Sequence, residues 1–157
     1  MNHIDLSAKI HPSVKMGVFN VVWEDCEIGE GTVIKSHVEL RPGTKIGKNC
    51  YIDSYVRSSG ENKIGDDVTL RFGCTIARQV TIEDGAFISP NVMTIYSDHR
   101  GEKHGGIVIG AGAHIGTNAV LHHAVKVGPG AVIGAMSLLT KDALEGTWIG
   151  APARRIQ

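Results

Sequence analysis

Ile28-Gly-Glu-Gly-Thr-Val33, Ile46-Gly-Lys-Asn-Cys-Tyr51 and Val127-Gly-Pro-Gly-Ala-Val132 are copies of one six-residue unit. Each has an aliphatic residue, a Gly or polar run, a small residue and a variable one. The unit continues on both sides. Stepping by six from Ile10 meets Met16, Val22, Ile28, Ile34, Leu40, Ile46, Ile52, Ser58, Ile64, Leu70, Ile76, Ile82 and Ile88, with only Ser58 breaking the aliphatic run. The count resumes at Ile109 and passes through Ile115, Leu121, Val127, Ile133 and Leu139. Four residues beyond each stands a small or β-branched residue, Asn20 and Asn62 excepted. A period of six fits neither an amphipathic helix nor one long strand, so it describes a repeating coil. The aliphatic residue fills a short strand's interior and the small residue faces inward near a bend. Gly, Asn and Asp supply the positive φ that corners need.

The 157 residues are expected to form a single domain, 1–157. The formal net charge is zero, which gives no reason to expect nucleic acid or an anionic membrane as partner. No apolar run approaches the length of a spanning helix. The opening Met1-Asn-His-Ile-Asp lacks the basic-then-apolar shape of a signal peptide, so the expected location is cytoplasmic. Cys26, Cys50 and Cys74 all occupy the small inward slot of the repeat. That regularity, with an odd count, argues for buried filler rather than disulfides. With 5% aromatic residues, the core should be a narrow stack of Ile, Val, Leu and Ala.

The register breaks once. Thr94-Ile-Tyr-Ser-Asp-His99 is followed by nine polar and Gly-rich residues, 100–108, before the repeat restarts at Ile109. This is expected to be a loop thrown out of one corner, and loops on rigid scaffolds commonly carry function. Ser58-Ser-Gly-Glu-Asn-Lys63 reads as a polar corner without function. Residues 143–157 leave the repeat and are expected to cap it, helical or extended, with Trp148 and Ile156 over the last rung. Ile4 and Leu6 are expected to close the other end.

The pattern resembles the hexapeptide-repeat acyltransferases. The resemblance implies an all-β fold, a left-handed parallel β-helix of triangular section with three hexads per coil. Residues eighteen apart then stack, and the twenty hexads counted imply six to seven coils. The left hand comes from the resemblance, since the usual rule for parallel crossovers is right-handed. The family assembles as trimers with active sites between neighbours, which implies a homotrimer here.

Ser89-Pro-Asn-Val-Met-Thr-Ile-Tyr-Ser-Asp-His99 resembles the Pro-Asn-Val followed by His of galactoside and maltose O-acetyltransferases. In that family the histidine is the general base, which falls on His99. Imidazole titrates near neutrality and can take the proton lost as a hydroxyl attacks the thioester of acetyl-CoA. Ile107-Val-Ile-Gly-Ala-Gly-Ala-His-Ile-Gly-Thr-Asn-Ala-Val120, Ile133-Gly-Ala-Met-Ser-Leu-Leu-Thr-Lys-Asp142 and Gly150-Ala-Pro-Ala-Arg154 resemble the family's acetyl-CoA end. Carried over, Thr117, Ala135, Thr140 and Lys141 line the cofactor groove and Arg154 lies near the nucleotide phosphates, where Lys and Arg offer charge-assisted bonds. A backbone N–H near Thr117 is placed to steady an oxyanion. Asn91 and Arg71 fall on the acceptor side.

Three departures bear on this. His114 stands where the sugar enzymes usually have Trp, Met136 replaces a Gly, and Arg71 replaces an acceptor-binding Asn. An Arg there suggests an anionic acceptor, such as a nucleotide-linked or acidic sugar, or else an ordinary surface ion pair. The expected acceptors are therefore sugars or sugar nucleotides, through a hydroxyl or an amine. A γ-class carbonic anhydrase-like zinc enzyme and a non-catalytic scaffold are the alternatives. Three observations weigh on the zinc reading. The coils lack that class's spaced histidines, His99 and His104 sit together in the loop, and His122 and His123 adjoin on a strand, facing opposite ways. No metal is expected.

Overall fold

The computed structural model describes residues 1–102 and 106–156. The chain winds as a left-handed parallel β-helix with three faces. The first face stacks eight strands, from His3–Ile4 to Leu138–Leu139; the second stacks seven, from Lys9–Ile10 to Lys126–Val127. The third begins at Lys15–Met16 and reaches nine strands with the terminal hairpin. Every hexad contributes a two-residue strand whose second residue points inward, as the buried Val22, Ile28, Ile34 and Leu40 show. Register is strict. Partners are eighteen residues apart, as in Val21 with Glu39 and Glu39 with Arg57.

The coil is longer than the sequence count implies. His3–Ile4 begins the repeat one hexad before Ile10, and Met93–Thr94 is a full strand although Thr94 is polar. Ile4 is half-exposed at the open end, where no coil lies below it, and Thr94 puts a hydroxyl in the slot that other hexads fill with an aliphatic side chain. Ile4 and Leu6 do not close the N-terminal end: Ile4 is a half-exposed strand residue and Leu6 is fully exposed. At the other end the cap is extended. Thr147–Ile149 adds to Val132–Ile133 in parallel, and Arg154–Arg155 folds back antiparallel on it. Trp148 packs on the core as expected. Ile156 is exposed, and the buried residue here is Ala153, in the turn just before the returning strand.

The three thiols are free and buried, one in each corner column. Burial pushes the Cys74 thiol up to about 11. Across the insertion the register jumps by nine residues, so that Thr81 pairs with Val108 and Met93 with Val120. The loop therefore leaves the edge between the first and second faces, after Met93–Thr94, and the coil resumes at Val108–Ile109 unchanged. We call this the loop edge. The edge between the third and first faces carries Arg71 and Asn91.

Candidate active site

The loop is rooted firmly. Ile95 N donates to Leu121 O (2.9 Å), and the Tyr96 hydroxyl reaches Gln79 Oε1 at 3.3 Å. Asp98 then builds a tight turn. Its Oδ1 accepts from the N–H groups of Arg100 (2.9 Å) and Glu102 (3.0 Å), and its carbonyl accepts from Gly101 N (3.0 Å). His99 lies in this turn with its side chain exposed. The chain re-enters the coil at Gly106. A Cβ there would lie 1.7 Å from Gln79 O, so the return path admits only glycine. His104 lies outside the described residues.

The remaining sequence-predicted residues, Arg154 excepted, divide between two edges. Thr140 and Lys141 stand on the loop edge, above the loop root, stacked over His122 and His123; His122 N donates to Leu139 O at 2.9 Å. Lys141 Nζ sits 5.5 Å from the Trp148 ring centroid. Thr117 and Ala135 stand on the other edge, in one column above Pro90: Asn118 N donates to Pro90 O (3.0 Å) and Met136 N to Thr117 O (2.9 Å). Asn91 is in the adjacent column at φ 58°, and Arg71 lies one coil below Ser89. Arg154 is on the returning terminal strand opposite Ile149. Within one chain, then, His99, Thr140 and Lys141 are separated from Arg71, Asn91, Thr117 and Ala135 by the first face. Equivalent corner positions on the two edges are six residues apart along the chain, a span of at most about 20 Å.

The second column on Thr117's edge suits a flat-lying chain. Gly116 and Gly134 precede Thr117 and Ala135, and a Cβ on Gly116 would fall 2.4 Å from Ala135 N. The strip is thus held free of bulky side chains by backbone contact. Met136 is the exception: it takes φ 60° at its corner and projects 69% exposed.

Arg71 makes the ion pair that was the plainer of its two readings, Nε to Asp53 Oδ2 at 3.3 Å. His114, in place of the usual Trp, stacks on Phe87 with centroids 5.1 Å apart, and its Nε2 is 3.4 Å from Ser89 Oγ. The expectation for His122 and His123 is corrected. They follow the strand rather than lying in it, at the corner, where the chain bends and brings their ring centroids to 4.1 Å. Among the described residues no three His, Cys, Asp or Glu side chains gather as metal ligands would.

Sequence reading missed one feature of the Asn91 edge. Phe19, His37 and Tyr55 form a stack, with centroids at 5.2 and 4.8 Å, and Phe72 leans on Tyr55 at 5.4 Å. The signal was available. Phe19, His37 and Tyr55 are spaced by eighteen, one per coil.

Comparison with known proteins agrees with this architecture. The family of bacterial transferase hexapeptide repeats (six repeats) matches residues 106–141. A bifunctional protein GlmU from Clostridium botulinum is 32% identical over 139 residues, which is 88% of this chain and 30% of that protein. The chain thus spans under a third of that relative. The fold is that of the UDP-N-acetylglucosamine acyltransferase of Campylobacter jejuni, at TM-score 0.60 and 20% identity, covering 96% of this chain and 72% of the other. It is likewise that of a mutant of AntD, an N-acyltransferase from Bacillus cereus in complex with dTDP and coenzyme A. There the TM-score is 0.56 at 16% identity, covering 99% and 83%. No helix among the described residues is long and apolar enough to cross a membrane.

Proposed function

We propose that this hexapeptide-repeat protein transfers the acetyl group of acetyl-CoA to a hydroxyl or amine of a sugar or sugar nucleotide. The observation that carries the reading is the exposed His99. It sits in the Asp98 turn of the loop that interrupts the coil, eight residues after Asn91 of the Pro-Asn-Val segment. The nature of the relatives supports it. GlmU matches most of this chain, and a protein of the same fold binds a nucleotide together with coenzyme A.

In this reading the acceptor oxygen or nitrogen attacks the thioester carbon while the His99 imidazole takes its proton. The tetrahedral adduct collapses, the carbon–sulfur bond breaks, and the coenzyme leaves as thiolate and is protonated to the thiol. Backbone N–H groups at the Thr117 corner steady the oxyanion. The pantetheine arm lies along the Thr117–Ala135 strip, with Arg154 and, from the chain that supplies His99, Thr140 and Lys141 giving polar and charged groups toward the nucleotide end. Because one chain keeps His99 and that strip on different edges, the assembled site takes His99 from one chain and the strip from its neighbour, in a homotrimer. Arg71 and Asn91 face the acceptor.

The test is a screen of acceptors with acetyl-CoA, reading free thiol. Nucleotide-linked or acidic sugars should release thiol faster than neutral glycosides, and less so in high salt, which screens a partly exposed Arg71. Arg71→Ala should raise the acceptor KM several-fold with little change for acetyl-CoA. No thiol release with any acceptor would reject the transferase. A monomer mass by light scattering would reject the shared site.

A further inference from the structure

The aromatic stack on the Asn91 edge has no role in the chemistry above. It is also placed at a cost. Phe19, His37 and Tyr55 occupy corner positions at φ 60°, 61° and 62°. That left-handed region suits Gly and Asn and strains bulky residues. The same column reads Gly73, Asn91, Asn118 and Met136 higher up, so the fold accepts Gly and Asn there and the run of rings is confined to the lower coils. The aromatics are not rewarded by burial: Phe19 is 58% exposed, Tyr55 50% and Phe72 47%. Strained, exposed aromatic rings in a row indicate binding rather than packing.

The column of rings stops at Gly73, with Phe72 tilted against Tyr55 beside it. Above Tyr55 the next residue of the column is Gly73, which has no side chain to continue it. Asn91 closes the gap from above, its Oδ1 only 2.6 Å from where a Cβ on Gly73 would stand. Phe72 and Arg57 form the sides. Together with His37 these residues line a groove of about 410 Å³, within the range of roughly 300–1,000 Å³ common for small-molecule sites. The slot thus offers an aromatic floor, a carboxamide that both donates and accepts, and a guanidinium at the side. That combination recognises a flat heteroaromatic ring bearing an anionic group.

We propose that the slot binds the base of a nucleotide-linked acceptor. The base extends the ring stack on Tyr55, Asn91 hydrogen-bonds its edge, and Arg57 meets the diphosphate. The inference rests on the sugar-nucleotide reading of the acceptor and assigns its base to named residues. The slot lies one coil below the Pro90–Asn91 corner, so the sugar end of the acceptor extends toward the strip proposed for the coenzyme.

The experiment is calorimetric titration of the full-length chain with UDP and TDP, and with inorganic pyrophosphate as the base-free control. Either nucleotide should bind at least about tenfold more tightly than pyrophosphate, as stacking on one aromatic ring implies. Tyr55→Asn removes the floor but suits the positive φ. It should erase that tenfold advantage while leaving the melting temperature equal or higher and the mass by light scattering unchanged. Nucleotides no tighter than pyrophosphate, or full affinity in Tyr55→Asn, overturns the proposal. So does a changed mass in Tyr55→Asn, which would make the stack an interface between copies. The acceptor screen separates the two readings. Thiol release with simple sugars and no base-dependent binding removes the slot and keeps the transferase. Base-dependent binding lost in Tyr55→Asn, with no thiol release from any acceptor, keeps the slot and removes the transferase.

Discussion

The two edges that bound the first face are built from the same hexads and differ inside and out. Inside the loop edge a polar chain climbs the coil. Thr44 and Ser58 hydroxyls are 2.6 Å apart, Ser58 donates to Asn62 Oδ1 (2.6 Å), and Asn62 Nδ2 donates to Ala77 O (2.5 Å). Ala77 N then donates to Thr94 Oγ1 (2.6 Å), and the loop begins at the next residue. Inside the other edge the matching column runs from a buried Asn20 through Val38, Val56, Cys74, Val92 and Ala119 to a buried Ser137, apolar along its middle five rungs. The difference teaches what each column can specify. Near-identical hexads can slip by six residues and still bury aliphatic side chains. A satisfied buried network cannot slip, because every donor would lose its partner. The polar column fixes the rung from which the loop departs, and the apolar edge is left to carry an exterior that varies.

The largest expected effect falls on the loop edge. His99→Ala should lower turnover about a hundredfold or more, the usual worth of a positioned base, while coenzyme affinity stays within a factor of two or so. Retained turnover would break the assignment of chemistry to this edge and would favour an amine acceptor, which needs the base less. Next comes the loop's return path. Gly106→Ala forces a methyl against Gln79 O, so the loop must move or the coil open. Overpacking of this kind costs about 1–3 kcal/mol. It should lower the melting temperature and, by displacing His99, turnover as well. Wild-type values for both would show that the root does not position the loop.

Asn62→Leu addresses the polar column itself. It removes the acceptor of Ser58 and the donor to Ala77 O, both buried. The expected loss is about 2 kcal/mol, read as a shift in the denaturant midpoint. An unchanged midpoint would mean that the column is no better than aliphatic filler. The result would then leave register to the hydrophobic pattern alone.

The coil was legible because a two-residue strand and a corner leave so little freedom that six residues encode both. The inward aliphatic positions, the three buried cysteines and the nine-residue break all follow from counting. Asn62 and Ser58 were read as a polar corner because residue type does not reveal a partner fourteen residues away, on the next coil. Thr44 and Ser58 meet only because the helix closes. The candidate site could be named as residue types and not as a place. His99, Thr117 and Arg71 were named together, but nothing in a hexad says which edge its corner occupies until strands are assigned to faces. The aromatic stack was missed for the complementary reason. It repeats every eighteen residues, and reading by sixes averages it away.

The smallest effect sharpens the contrast between the two interiors. Cys26 sits in the polar column below Thr44, with Sγ 3.4 Å from Arg41 O, and Cys74 sits in the apolar one. Burial raises both thiols, Cys74 to about 11. The unfolded chain releases a thiol proton near its ordinary value of 9.0, while the folded chain still holds that of Cys74. The unfolded state therefore binds fewer protons across this window, and stability must fall as pH rises from about 9 toward 11. Below the unfolded value the contribution is complete. By pH 10 the Cys74 part of the loss is about 1 kcal/mol. Denaturant midpoints at pH 8 and pH 10 measure it. Cys74→Val, which repeats the valines above and below it in the column, should flatten the alkaline slope more than Cys26→Val does. Equal slopes would show that the two columns, although lined differently, present the same environment to a buried charge.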